Sequence, residues 1–183
     1  MKATGIVRRI DDLGRVVIPK EIRRTQLIRV GDPLEIFVSG DGEVIFKKYS
    51  PIGELSAFAQ SYADALVKNA GVAVIITDRD RVVAASSAAR ETIERRLSQE
   101  YEAAMEARRT LVTKDAVLPI CEPGGKTAAA LAPILCHGDV IGSVALLPVS
   151  GEGHAAQHTP PSEETALALI TVAAAVLGKQ MEE

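Results

Sequence analysis

Cysteine and aromatic residues are scarce in this 183-residue sequence, and each shortage excludes a class of protein. Two cysteines cannot form a disulfide framework in a chain of this length, which favours a reducing compartment. Aromatic residues make up 3% and tryptophan is absent, so we do not expect stacking platforms for single-stranded nucleic acid. The longest uncharged apolar run, 165–178, is shorter than the ~20 residues that span a bilayer. With no secretory signal in view, the sequence predicts a cytoplasmic protein.

The charge is distributed unevenly along the chain. The formal net charge is −3, which taken alone argues against nucleic-acid binding. Residues 1–50 nevertheless contain ten basic and seven acidic side chains, and residues 1–30 alone contain eight basic and three acidic ones. The rest of the chain contains eleven basic and seventeen acidic side chains. Charge asymmetry of this kind points to contact with nucleic acid or a membrane surface at the basic end.

The first domain, expected at 1–50, alternates short β-branched runs with turn residues. Ser39-Gly40-Asp41-Gly42 is a strong hairpin signal because Gly and Asp tolerate positive φ. About 50 residues with four short strands lie near the lower size limit for a self-sufficient core, so we expect a second copy to complete it. The expected elements are strands at 5–10, 15–18, 33–38 and 43–48 and a short helix at 20–26 that follows Pro19.

A linker is expected at 51–55 and a second domain, with helices and paired strands, at 56–183. Ser162 is placed to cap the last helix, and Glu163 and Glu164 suit the dipole at its start. That helix is apolar around nearly its whole circumference, so we expect it to be buried, partly against another subunit. The expected elements are helices at 54–69, 88–109 and 162–179, strands at 72–77, 81–86, 128–136 and 140–148, and a loop at 149–161.

The N-terminal segment contains a long and specific motif. The run from Leu13 to Arg24 is Leu-Gly-Arg-Val-Val-Ile-Pro-Lys-Glu-Ile-Arg-Arg, and Gly31 to Ile36 is Gly-Asp-Pro-Leu-Glu-Ile. Together with the residues from Thr4 onward, these closely resemble the AbrB family of bacterial transition-state regulators. The resemblance implies an α+β protein in which a dimeric swapped-hairpin β domain binds double-stranded DNA and precedes a GAF-like α/β domain with flanking helices. The GAF-like assignment depends on the order of elements alone.

Basic side chains are dense in this segment, where six of them fall between residues 8 and 24. The planar guanidinium of arginine offers several fixed donors to guanine and to phosphate. Arg15 follows Gly14 at a turn, where we expect its side chain to project freely. The alternative, a solvated charged surface, is disfavoured by so many cations in an otherwise acidic protein. Under the resemblance the DNA-contacting residues are Arg8, Arg15, Arg23 and Arg24, with Lys2, Arg9 and Lys20 as supporting phosphate contacts.

Catalytic and metal-binding patterns are weak in the sequence. Gly124-Gly125-Lys126-Thr127 lacks the earlier glycine of a phosphate-binding loop, because Ile120 occupies that position. Cys136 has no second cysteine at the spacing of a zinc site. His154 and His158 fall in an expected loop. We therefore expect a protein that is not an enzyme, with no catalytic residue, no metal and no cofactor.

These observations predict a DNA-binding transcriptional regulator, and the resemblance implies a role in sporulation-stage gene expression. We expect a homotetramer built from dimers that pair through the helices at 54–69 and 162–179. An antitoxin of the same swapped-hairpin class is the alternative, although such chains usually continue into a disordered toxin-wrapping tail. A GAF-domain enzyme or small-molecule receptor is a third hypothesis. The sequence leaves open whether the second domain binds an unidentified small molecule or serves only in oligomerisation.

Overall fold

The computed structural model describes residues 4–113, 118–148 and 162–182. The chain divides into two compact units, the first ending at Tyr49 and the second beginning at Ser50. Lys2, the expected loop at 149–161 and the histidines within it lie outside the described residues.

The first unit contains one short helix and one hairpin, close to the predicted positions. Helix α1 spans Lys20–Thr25, and strands β1 (Leu34–Val38) and β2 (Val44–Lys48) pair antiparallel with Val38 opposite Val44. The connecting turn is closed by the hydrogen bond from the Ser39 amide to the Glu43 carbonyl, 3.0 Å long. Gly42 has φ +78° there, which a residue without a side chain adopts freely. The predicted hairpin is confirmed.

The two strands predicted at 5–10 and 15–18 do not form in the single chain, whereas the turn between them does. The Asp11 amide donates to the Arg15 carbonyl over 3.0 Å, and no ladder extends beyond it. Among residues 4–49 no apolar residue is buried, and Val7 and Val30 are 83% and 92% exposed. In the single chain, residues 5–10 and 15–18 have no strand paired beside them and no covered apolar face, and an isolated pair of strands is at best marginally stable.

The second unit is built on a five-stranded antiparallel sheet. Its elements are α2 (Pro51–Glu54), α3 (Ser56–Ala70), β3 (Val74–Thr77), β4 (Val82–Ala85), a 3₁₀ segment (Ser87–Thr92), α4 (Gln99–Glu106), β5 (Leu111–Val112), β6 (Leu118–Pro119), β7 (Thr127–Ala128), β8 (Ala130–Cys136), β9 (Asp139–Leu146) and α5 (Glu163–Gln180). The strand order is β4-β3-β9-β8-β5, and β6 pairs separately with β7. The described chain is therefore α+β overall, as predicted.

Both faces of the sheet are covered, because successive strand residues point to opposite sides. Val74 and Ile76 belong to one apolar cluster, with residues of α3 and α5. Ile75 belongs to the other, with Tyr101 and Met105 of α4. This alternation explains why β3, which is buried on both faces, has an almost continuous apolar sequence.

The segment expected as a linker, 51–55, folds into the second unit instead. Ser50 caps α2 by accepting the Gly53 amide over 3.1 Å, and its hydroxyl donates to Asp78 over 3.0 Å. Pro51 occupies the first turn and Ile52 is fully buried. A proline at the start of a helix is favourable because its missing N–H is unpaired there in any case. A buried isoleucine explains why the segment packs against the fold.

The prediction of one long helix at 88–109 is wrong. Its residues form the 3₁₀ segment, then an irregular stretch with Glu94 at φ +66°, and only then α4. The irregular stretch pairs with the edge of β4, where the Val82 amide donates to the Arg95 carbonyl over 3.0 Å. Ser98 then starts α4 by accepting the Tyr101 amide over 3.0 Å. The helix was predicted because Ile93, Leu97, Tyr101 and Met105 follow one another at intervals of four residues. Edge pairing and a serine cap outweigh this spacing, which indicates burial but not one continuous helix.

Helix α5 begins at the predicted cap, where Ser162 accepts the Thr165 amide over 3.2 Å. One side of the helix packs on the sheet, with Ile170 and Leu177 fully buried. The opposite side remains open in the single chain, and Val172 is 56% exposed. None of the helices in the described ranges is both long and apolar enough to cross a membrane.

Candidate nucleic-acid interface

The first group of basic residues surrounds the turn at Asp11–Gly14. Arg8, Arg9 and Arg15 are all exposed. Arg8 also donates from Nη1 to the carbonyl of Val7 over 3.0 Å. All three side chains are therefore accessible to a large partner.

Asp11 fixes the geometry of this turn. Its Oδ1 accepts the amides of Leu13 and Arg15 over 3.0 and 2.8 Å, and its Oδ2 accepts Nε of Arg15 over 2.8 Å. Gly14 supplies a φ of +75°. The hydrogen bonds from Arg15, first from its backbone N–H and then from its side chain, lower the pKa of Asp11. The sequence analysis predicted that Arg15 projects freely and gave Asp11 no role. The position of an aspartate two residues before the Leu-Gly-Arg motif could have indicated this contact.

The second basic group lies on α1. Lys20 and Arg24 are exposed and Arg23 is half-buried. The Arg23 amide donates to the Pro19 carbonyl over 2.9 Å, which sets the first turn of the helix. Arg23 and Arg24 fall in the last turn, where cationic side chains are favoured by the helix dipole. As neighbours on a helix they diverge by about 100° around its axis.

Asp32 holds the segment after α1 against β2. Its Oδ2 accepts the Arg29 amide over 2.8 Å and lies 3.3 Å from Nζ of Lys48. Lys48 also donates to the Leu27 carbonyl over 3.0 Å. The side chain of Asp32 is only 3% exposed, although the sequence analysis gave it no role. A carboxylate this covered needs such partners, and here they connect the end of α1 to the hairpin.

The two basic groups are separate in the single chain. Arg8, Arg9 and Arg15 flank the Asp11–Gly14 turn, whereas Arg23 and Arg24 lie on α1. Both groups lie in a unit with a positive balance of charge and no buried apolar residue in its described part. The site is therefore a surface, suited to binding an extended anion and not to chemistry on a small substrate.

The second unit contains a cavity of about 560 Å³. It lies where the ends of the central strands meet the start of α5, with apolar walls from Val72, Leu146 and Leu167. Thr113 and Glu163 are polar residues of its lining, and the Thr113 hydroxyl donates to the Ala128 carbonyl over 2.8 Å. The cavity combines apolar walls with polar groups, which is typical of small-molecule pockets.

The glycine-rich loop after Pro123 does not form a phosphate cradle. Arg95 donates from Nη2 to the carbonyls of Pro123 and Gly124 over 2.7 and 2.6 Å, so carbonyl oxygens surround a cation there.

Cys136 has its Sγ 3.3 Å from Nδ1 of His137. Across the described ranges no three His, Cys, Asp or Glu side chains come together as a metal site would require.

Comparison with known proteins assigns the chain to a family. Residues 54–182 match the family model described as stage V sporulation protein T C-terminal, transcription factor. Over 187 aligned residues, covering all of both chains, the sequence is 46% identical to stage V sporulation protein T of Bacillus subtilis (strain 168). The chain belongs to the stage V sporulation protein T family.

The N-terminal part has its own relatives. Residues 7–53 match the family model described as antidote-toxin recognition MazE, bacterial antitoxin. The transition state regulatory protein AbrB of the same bacterium is 61% identical over 51 residues, which cover 28% of this chain and 52% of AbrB. The solution structure of the N-terminal DNA recognition domain of AbrB matches with 61% identity over 28% of this chain and 94% of that domain, with a TM-score of 0.25. The AbrB resemblance of the motif is therefore confirmed in sequence.

Proposed function

We propose that this member of the stage V sporulation protein T family is a DNA-binding transcription regulator of sporulation-stage genes, acting in the cytoplasm. The full-length relative is a sporulation protein by name, and the C-terminal family is described as a transcription factor. The observation that carries the proposal is the set of exposed arginines around the Asp11–Gly14 turn and on α1. They lie in the segment most similar to AbrB, whose corresponding domain is described as a DNA recognition domain.

Charge favours the first unit as the DNA-binding part. Its basic side chains outnumber its acidic ones by three, whereas acidic side chains dominate the remainder of the chain. DNA affinity depends on neutralising phosphates, so an acidic unit adds repulsion instead of a second contact surface. Arg8, Arg15, Arg23 and Arg24 are proposed as the main contacts, with Lys2, Arg9 and Lys20 supporting.

A second copy of the chain is proposed to complete the first unit as a swapped-hairpin dimer. Val7, Ile10 and Val17 are all more than 70% exposed in the single chain. Burying such side chains stabilises a fold by roughly 1.5–3 kcal/mol each, so leaving them in water would forfeit most of the driving force for folding. Strand exchange between two copies would cover them and supply the missing neighbours for residues 5–10 and 15–18.

The second unit is proposed to be a GAF-like domain that pairs these dimers into a tetramer. The exposed apolar side of α5, with Val172 and Val176, supports this arrangement, as does Phe58 on α3. Phe58 lies beside Tyr62, with ring centroids 6.1 Å apart. The cavity bounded by Val72 supports a small ligand as the molecule sensed by this domain.

The test is DNA affinity of the full-length protein after single substitutions. A duplex selected from random oligonucleotides by the unmodified protein serves as the probe. Arg15→Ala, Arg23→Ala and Arg24→Ala should each weaken binding by about 1–3 kcal/mol if a bidentate base contact is lost. Arg81→Ala, which removes the same charge from an exposed position of the second unit, is the matched control and should bind as before. Equal affinity in all of these proteins, with native circular dichroism, would contradict the proposal.

An antitoxin function is the second candidate, favoured by the match of residues 7–53 to the MazE family. The folded second unit and its own family match oppose it, because toxin-wrapping tails are disordered until bound. Co-expression with the products of neighbouring genes distinguishes the two. An antitoxin should neutralise and co-purify with a toxin, whereas a regulator should bind DNA alone.

A further inference from the structure

A carboxylate lies inside the basic surface around the Asp11–Gly14 turn, where charge alone would disfavour it. Asp11 bears a negative charge four residues before Arg15, in a segment proposed to face DNA phosphates. Its two oxygens have different partners. Oδ1 accepts the backbone amides of Leu13 and Arg15, and Oδ2 accepts the side-chain Nε of Arg15 over 2.8 Å.

We propose that Asp11 is a positioning residue, which holds the guanidinium of Arg15 in the orientation that contacts DNA. The inference rests on the proposed function, because it assigns the way in which one of the proposed contacts is oriented. The side chain of Arg15 remains 71% exposed despite this contact. The bond to Asp11 uses Nε, and the two terminal nitrogens of the guanidinium carry the further donors that bind guanine or phosphate bidentately.

The benefit comes from ordering the arginine before it binds. A free arginine on a turn loses rotamer freedom when DNA immobilises it, and this loss weakens binding. An exposed ion pair by itself contributes little. Here the carboxylate is already fixed by two backbone amides, so holding Arg15 requires the ordering of only one side chain.

Two effects of Asp11 on DNA affinity therefore have opposite signs. Its charge repels phosphates, so removing the charge should strengthen binding if charge alone matters. Its contact with Arg15 should strengthen binding, so removing the contact should weaken it. Asp11→Asn removes both the charge and the contact but keeps the turn, because asparagine retains Oδ1 for the backbone amides and presents an NH₂ donor to Nε of Arg15. A second variant that removes only a charge is therefore needed to separate the two effects.

The experiment compares full-length Asp11→Asn with Asp12→Asn on the selected duplex, by fluorescence anisotropy. Asp12 precedes Leu13 in the same turn and takes no part in the contact with Arg15, so it controls for the lost charge. We expect Asp12→Asn to bind equally or more tightly. We expect Asp11→Asn to bind about fivefold more weakly or worse, since each immobilised side chain influences affinity by roughly that factor or more. In an Arg15→Ala background, Asp11→Asn should no longer weaken binding.

Each outcome distinguishes the inference from the proposed function. If Asp11→Asn binds like Asp12→Asn while Arg15→Ala binds weakly, the positioning role is wrong and the proposed DNA contact of Arg15 is supported. If Arg15→Ala also binds normally while Arg23→Ala does not, the inference is equally wrong. If none of the arginine variants changes affinity, the proposed function itself fails.

A measurement on the unmodified protein guards against a variant that does not fold. With selectively labelled arginine, hydrogen exchange at Nε of Arg15 should be slower than at Nε of Arg24, which is exposed on α1. Equal exchange at the two positions would overturn the positioning role without any substitution.

Discussion

Gly178→Ala should destabilise the second unit, although alanine is the better helix former. Gly178 lies in the last turns of α5, and a Cβ built there would overlap the backbone carbonyl oxygen of Leu135 in β8. Replacing glycine by alanine inside a helix stabilises it by about 1 kcal/mol in the absence of other effects. Helix propensity therefore predicts a higher free energy of unfolding for Gly178→Ala, whereas packing predicts a lower one.

The packing effect should be the larger one. Overpacking a tight contact costs about 1–3 kcal/mol, and the upper end applies because the obstructing atom is strand backbone and cannot rotate away. Leu135 lies opposite Val140 of β9, beside a register shift between the two strands, so its movement would disturb the pairing of β8 with β9. The net effect should be a loss of about 2 kcal/mol in the free energy of unfolding, after about 1 kcal/mol of helix propensity is regained.

Urea unfolding followed by circular dichroism measures this difference, with all proteins at one concentration because assembly shifts apparent stability. Gly40→Ala is the control for the substitution itself, since its Cβ would meet no atom within 4 Å and its φ is ordinary. That control should change stability by less than about 0.5 kcal/mol, as surface substitutions usually do. A Gly178→Ala protein as stable as the unmodified one, or more stable, would refute the close packing of α5 on β8.

Three further predictions concern the core, the turn and the assembly. Tyr101→Phe should lower the free energy of unfolding by about 1–2 kcal/mol, because the buried hydroxyl is within 2.8 Å of Ser143 Oγ, and urea unfolding measures the loss. The pKa of Asp11, followed by the NMR shift of its carboxyl carbon, should lie below the ordinary aspartate value and rise in Arg15→Ala. Because the folded pKa is lowered, this carboxylate stabilises the folded state above its unfolded pKa and loses that effect as pH falls through the folded pKa. An unshifted pKa would contradict the turn geometry. Val172→Asp or Val176→Asp should reduce the assembly state in sedimentation by placing a charge in an apolar contact, and an unchanged sedimentation coefficient would exclude α5 as the pairing surface.

Local signals in the sequence predicted the parts of the fold that depend on a few neighbouring residues. Asp41 and Gly42 mark the hairpin of the first unit, and Ser162 marks the start of α5. These features are decided by backbone conformation and capping, which act within a turn of chain. The AbrB motif could likewise be identified from a continuous run of residues.

Features that depend on distant partners could not be predicted in this way. Leu97, Tyr101 and Met105 are buried as their spacing suggested, yet the stretch before Ser98 pairs with the edge of β4 instead of extending the helix. The segment 51–55 was predicted as a linker, but Ile52 is buried in the core. This could not be predicted locally, because the residues that bury Ile52 come later in the chain.

The proposed DNA-contacting arginines stay a prediction. The sequence and its resemblance predicted them as contacts, and the structure places those of residues 4–49 at exposed or half-buried positions. The hold of Asp11 on Arg15 was missed, since an aspartate at a turn is ordinarily explained by the turn alone. The strands predicted at 5–10 and 15–18 are absent from the single chain, where no strand pairs with either segment.

Binding of DNA by the arginines of the first unit is tested by one matched comparison. The salt dependence of binding to the selected duplex is measured for the triple variant Arg15→Ala, Arg23→Ala, Arg24→Ala. The control triple variant removes three exposed arginines of the second unit, Arg81, Arg90 and Arg108, and so has the same net charge. Each phosphate contact contributes about −0.9 to the slope of log K against log salt. A weaker affinity and a shallower slope are expected for the first variant only. Equal affinities and slopes in the two variants would show that these arginines do not bind DNA.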